Sequence, residues 1–156
     1  MSWTQEFKTA RGDAATLSDI GDFNQLVSLA ETVGRELQGG GVSSRQIRVL
    51  LSETTAGVSR IRRGRTLGID TASPDRAQQD RAAQREAALL NISLVYSAGR
   101  EKIGSQQIKS LKELVGEMTT AVKTLEDFKV LRKFSEAVMA YFKFNDEQNK
   151  SQRRGR

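Results

Sequence analysis

The groups available for chemistry in this 156-residue chain are carboxylates, amines, guanidinium groups and hydroxyls, because it has no cysteine and no histidine. Without cysteine there is no disulfide, no thiolate nucleophile and no zinc knuckle. Without histidine there is no imidazole ligand and no Ser-His-Asp triad. Glu113 and Glu117 stand one helical turn apart, a spacing that can share a divalent cation. Lys109 precedes Glu113 by one turn and Lys112 adjoins it, so the group reads instead as a solvated ion-pair face. Gly64-Arg65-Thr66-Leu67-Gly68 lacks the spacing and the lysine of a phosphate-binding loop. Asn91-Ile92-Ser93 fits a glycosylation acceptor, but it falls in the most apolar stretch of the chain and reads as chance. Tyr96 and Tyr141 fall at core-like positions, where a tyrosine hydroxyl is satisfied rather than reactive. The expectation is a protein that is not an enzyme and holds no metal and no cofactor.

Charge is the informative chemistry. Lys and Arg total 25 and Asp and Glu 19, a formal net charge of +6. Residues 1–40 carry three basic and six acidic side chains; residues 41–100 carry ten arginines, no lysine and five acids; residues 101–156 carry twelve basic and eight acidic groups. An arginine presents a planar fork that matches phosphate and stacks on bases, which a lysine does not. At ~100° per residue, Arg45, Arg60 and Arg63 fall opposite Ile47 and Leu51, with Arg48 and Arg62 flanking them. Arg45 and Arg63 would then stand about 27 Å apart along one helix, and Arg65 extends the stripe into the following loop. Glu53 is the single acid in the helix. From charge alone three readings stand: a nucleic-acid surface, a surface for an acidic protein, and a face that only keeps the helix soluble. No aromatic residue occurs from Asn24 to Val95. The arginines therefore lack ring platforms for stacking single-stranded bases, and backbone contacts, salt-sensitive and blind to sequence, are the mode they suit.

The elements that must carry these groups read as helices throughout. Residues 1–21 are expected to be a loose arm or short docking segment, with Trp3 and Phe7 able to pack on the body. A first helix over 22–38 has the stripe Leu26, Leu29, Val33, Leu37 and ends at Gly39-Gly40-Gly41. A second starts at Ser43 or Ser44, buries Ile47, Leu50, Leu51, Val58 and Ile61, and ends near Arg62 or Arg63. Residues 64–73 are expected to be a flexible loop. Ser73-Pro74-Asp75 restarts the chain as a third helix. Its polar first half is expected to project, and its apolar second half, Ala87 to Ala98, to sit at the centre. Gly104 and Ser105 separate it from a fourth helix lined by Ile108, Leu111, Val115, Met118 and Val122. Thr124 with Asp127 caps a fifth, heavily buried through Leu125, Phe128, Leu131, Phe134, Val138, Tyr141 and Phe142. Residues 145–156 are expected to be a basic, disordered tail. The fold class is thus all-α, a compact bundle of about five helices forming one domain over 22–144. No apolar run approaches the ~20 residues that cross a bilayer. The opening Met-Ser-Trp-Thr-Gln-Glu has no basic segment leading into an apolar one, so a cytoplasmic protein is expected.

Three segments, in order, resemble one family. Ser44-Arg45-Gln46-Ile47-Arg48 opens the second helix, Tyr96-Ser97-Ala98-Gly99-Arg100 ends the third, and Phe134-Ser135-Glu136-Ala137-Val138-Met139-Ala140-Tyr141-Phe142-Lys143 forms the last. Over roughly residues 26–144 the chain is similar to the small subunit of the Csm effector complex of type III-A CRISPR–Cas systems. The small subunit of the Cmr-type complex is the near alternative. The resemblance implies a non-catalytic helical bundle whose copies stack as the inner filament of the complex. It implies contact with other Csm subunits and with the guide RNA–target RNA duplex, chiefly the target strand. Arg45, Arg48, Arg100 and Lys143 fall on the family's basic motif positions, while Arg60, Arg62, Arg63 and Arg65 come from the charge pattern. Ser135 stands where the family often has a second phenylalanine, and Phe142 where it often has a histidine. The reading from a different class is a helical adaptor that binds an acidic protein without nucleic acid. A basic amphipathic face lying on an anionic membrane is the third.

Overall fold

Helices begin in this chain where a short polar side chain can accept from a free backbone N–H ahead of an apolar repeat. Ser2 accepts from Gln5 at the start of α1, Trp3–Arg11; Asp22 caps α2, Phe23–Gly39; and Ser43 with Gln46 forms a reciprocal capping box at α3, Ser44–Arg63. Thr124 and Asp127 form a second such box at α6, Leu125–Arg154. Between them run α4, Arg76–Arg100, and α5, Ser105–Thr119. A 3-10 turn spans Leu17–Asp19. A two-stranded antiparallel hairpin joins α3 to α4, with β1, Arg65–Thr66, paired to β2, Ile69–Asp70. The computed structural model describes residues 2–100 and 105–155, without the side chains of residues 97–100 and 105. The expected all-α bundle is present, and Gly104 of the expected separator lies outside the described residues.

The long helix α6 is the spine, with α2 on one side and α3 on another. Gly34 permits the α2 contact: a methyl group there would come within 2.7 Å of the Val138 carbonyl oxygen. Phe128, Leu131, Val138 and Phe142 of α6 are buried in the core these helices share with α4 and α5.

One alternative is decided and three expectations are corrected. Residues 3–20 form the docking segment rather than the loose arm, because Trp3 and Phe7 stand at i and i+4, enough to bury one face of a short helix. Both are buried with Leu17 and Ile20, and the Trp3 indole donates to Glu36 Oε2 at 2.6 Å. Residues 64–73 are not a shapeless loop: Gly64 takes the left-handed conformation that ends α3 (φ 65°), and the Thr71 amide closes back on its carbonyl at 3.1 Å. Both halves of α4 bury one face and expose the other. Ala82, Ala83 and Glu86 of the polar first half lie against the body with Ala87, Leu90 and Leu94 of the second, whereas Ile92, Val95 and Tyr96 of that apolar second half are 66%, 51% and 65% exposed. Tyr96 is therefore not a core tyrosine. Finally, residues 145–154 continue α6 rather than forming a disordered tail. Asp146 and Lys150 pair one turn apart at 3.2 Å, and Asn149 reaches Gln38 at 2.7 Å.

Asp127 fastens the N-terminal segment to the spine. Its Oδ1 accepts from the Ser18 amide at 2.8 Å and the Ser18 hydroxyl at 2.6 Å. Its Oδ2 accepts from the Lys123 and Thr124 amides at 2.8 and 3.0 Å. Burial by itself would raise this carboxyl, but the bonds from Ser18, Lys123 and Thr124 together hold it below the ordinary aspartate value. A depressed carboxyl contributes stability that is complete above its unfolded pKa and is lost as pH falls through the folded one. Chemical denaturation at a series of pH values should therefore show wild-type stability falling below about pH 4. Asp127→Ala should cost about 2–4 kcal/mol at neutral pH and flatten that acid limb.

Candidate nucleic-acid interface

An unbroken α3 is what converts scattered arginines into an array. The capping box at its start is tight, with the Ser43 amide donating to Gln46 Oε1 at 2.7 Å. Ile47, Leu50, Val58 and Ile61 bury its inner side. The helix runs from Ser44 to Arg63 without interruption, so the separation of about 27 Å between Arg45 and Arg63 expected from the helical rise applies. Arg45, Arg48, Arg62 and Arg63 are all exposed. Among the described residues none of the four enters an ion pair, while Glu53 turns away from them, 3.9 Å from Arg60.

Arg60 is different. Its Nε and Nη2 donate to Glu86 Oε1 and Oε2 at 2.9 and 2.8 Å, a bidentate fork. Glu86 is 2% exposed and the Arg60 side chain 39%. The Thr66 hydroxyl donates to the same Glu86 oxygen at 3.0 Å. The bond to Glu86, ahead of the opposing effect of partial burial, raises Arg60 above its ordinary value and keeps it charged. Arg60 is thus committed to the interior, although the helical wheel places it among the outward cations. The wheel treats α3 as if it lay on a flat core, and α4 covers that flank.

The remaining expected positions divide. Arg65 pairs with Asp70 across the hairpin. Lys143 is exposed on α6. The side chain of Arg100 lies outside the described residues. The hairpin itself is held by two consecutive residues of α4: Glu86 through Thr66, and Arg85, whose Nη1 donates to the Leu67 carbonyl at 2.9 Å. It braces the end of α3 where Arg62 and Arg63 stand. Glu86 was not singled out by the sequence reading; its only signal is a carboxylate set among Ala82, Ala83 and Ala87. Arg132 was missed too. It is the one arginine between Glu101 and Gln152, and its Nε faces the Thr55 hydroxyl of α3 at 3.4 Å. Of the acidic pair weighed for a metal, Glu117 lies 3.9 Å from Lys8 of α1, consistent with an ion-pair face.

Fixed, unpaired guanidinium forks on a rigid helix can bind anionic oxygens; they do not supply a proton donor and acceptor near neutrality. A family model described as Csm2 Type III-A matches residues 21–148, from just ahead of α2 into the last turns of α6. No curated protein and no solved structure matches the chain.

The division between interior and outward arginines has a measurable consequence. Urea denaturation of Arg60→Ala should show a loss of about 2–3 kcal/mol, because Glu86 is left buried without its counter-charge; the wet edge of Arg60 keeps the figure at the low end. Arg63→Ala should stay within about 0.5 kcal/mol of wild type.

Proposed function

The chain belongs to the Csm2 Type III-A family, small subunits of the type III-A Csm complex, and from that premise we propose that it lines the guide RNA–target RNA duplex of this complex without catalysing any step. Base pairing reads the sequence, and this subunit grips backbone and shape, the division of labour seen in RNA-guided systems generally. The observation that carries the reading is the set of exposed, unpaired arginines Arg45, Arg48, Arg62 and Arg63 along one capped helix. Each offers a phosphate a charge-assisted, bidentate pair of hydrogen bonds. Lys143 and Arg100 join them as positions of the family's motifs, and Arg65 as a cation at the hairpin. Arg60 serves the fold.

Stacking of several copies as an inner filament, and packing against the other Csm subunits, are proposed with it. The exposed Ile92 and Val95, one turn apart on α4, support an assembled state, since neighbouring apolar side chains at a surface commonly mark a contact. A place of action in the cytoplasm follows from the proposed RNA-guided role. Among the described residues no helix is long and apolar enough to cross a membrane.

The test is fluorescence anisotropy with a labelled RNA duplex over a salt series. Arg48→Ala combined with Arg63→Ala should leave the helical circular dichroism unchanged and weaken binding. It should also lower the log–log salt slope by about 1.4–1.8, two phosphate contacts at ~0.7–0.9 each. Unchanged affinity and slope would mean that this face is the wrong surface. Retention of a protein partner but no RNA in a nuclease-controlled pull-down would favour the adaptor.

A further inference from the structure

α3 and α6 approach closely at Gly57, where a methyl group would lie 2.7 Å from the Phe128 ring. Two residues toward the α3 N-terminus, Thr55 meets Arg132. Moving back along α3 is therefore moving forward along α6, and the two helices run antiparallel. Lys143 follows Arg132 by eleven residues, which is three turns with only ~20° of drift, about 16 Å further on. It therefore continues along the same flank of α6 toward the α3 end that carries Arg45 and Arg48.

The facing surface of α3 has two rows. Arg48, Thr55 and Arg62 repeat at seven-residue spacing, and Arg45, Ser52 and Ser59 repeat likewise, with Arg63 closing the second row. Seven residues drift by only ~20° on a helix, so each row is nearly straight. Ser52 and Thr55 are exposed and Ser59 half-buried. No carboxylate interrupts either row. On the α6 side the neighbouring acid, Glu136, is paired with Lys133 at 3.2 Å. The seam between the helices thus presents forks at its ends, small hydroxyls between them, and Arg132 and Lys143 along the opposite edge.

We propose that the α3–α6 seam is a two-edged track for the sugar–phosphate backbone of one RNA strand, in which Arg132 binds phosphate and Thr55 positions it. This rests on the reading that the α3 face binds RNA. A surface of cationic forks and hydroxyls with no aromatic ring suits a ligand rich in anionic and hydroxyl oxygens, and small side chains between the arginines let a strand approach the helix. The hydrogen bond from Nε to Thr55 leaves the two terminal nitrogens of Arg132 free to fork toward a phosphate. Charge held at two edges also fixes where a strand runs, which a single stripe does not.

The experiment uses the full chain and a labelled RNA duplex in a salt series. Arg132→Ala should raise Kd about five- to eightfold near 0.1 M salt and lower the salt slope by ~0.7–0.9, the value of one phosphate contact. Arg132→Lys should restore the slope but only part of the affinity, since it returns charge without the fork. Thr55→Val should raise Kd about two- to threefold with the slope unchanged. Lys112→Ala, an exposed cation on α5, should change nothing. If Arg132→Ala behaves like Lys112→Ala while Arg48→Ala still weakens binding, the track is wrong and the α3 face stands. If Arg48→Ala is also silent, the RNA reading of the face fails and takes the track with it. Displacement of the RNA by poly-glutamate at equal charge concentration would show that phosphate geometry is not recognised, and would overturn the proposal.

Discussion

The arrangement depends on a carboxylate that has no access to water. An ionised Glu86 in this interior would be strongly unfavourable alone. It is tolerated because Arg60 of α3 meets it with both arms of the guanidinium and Thr66 of the hairpin adds a third donor. Three elements, α3, α4 and β1, are thereby joined at one point by directional bonds. Close apolar packing limits the rotation of α3 about its axis, and the fork adds a directional limit, because both of its bonds must keep their geometry. The rotation of α3 decides which arginines meet solvent, so an interior pair sets the geometry of an exterior surface.

The spine contributes stiffness by other means. Gly34 and Gly57 remove side chains where α2 and α3 cross α6, and the helices come close enough for backbone and ring to touch. Asp127 then ties the start of α6 to the 3-10 turn by two hydrogen bonds from Ser18 and accepts two more from the Lys123 and Thr124 amides just ahead of α6. A subunit in the proposed role, holding a duplex without reading its bases, has little use for adaptable loops. It needs cations at fixed intervals, since the phosphates they meet are themselves spaced by a regular helix. The family match begins at residue 21 and leaves α1 outside it, yet Trp3 and Phe7 are part of the same core. The N-terminal helix extends the bundle beyond the matched span and carries one acid, Glu6, against two bases, Lys8 and Arg11.

Helix starts were legible because their signals are local: Ser43 with Gln46 and Thr124 with Asp127 lie three residues apart and report themselves in any window of the chain. Which residues of α4 face inward was not legible. An apolar stretch such as Ala87 to Ala98 looks central on composition, and a polar one looks exposed. Glu86 inverts this, since its burial is stabilised by partners that the local sequence does not contain. The short stripe of α1 was under-read for a related reason: two aromatic residues one turn apart do not establish a period, though they suffice to bury one face.

The sequence by itself determined the all-α class, the boundaries of the helix over Ser44–Arg63, the capped start of the last helix, the sign of charge along the chain, and the family motifs. Each depends on residues within a few turns of one another. The tertiary structure alone decided that Arg60 is neutralised while Arg63 stays outside any ion pair, and that Arg132 meets Thr55 of α3. The partners in these cases are 26 and 77 residues away along the chain. Only the angles at which α4 and α6 cross α3 bring them within reach, and those angles are set by packing of side chains from the whole core.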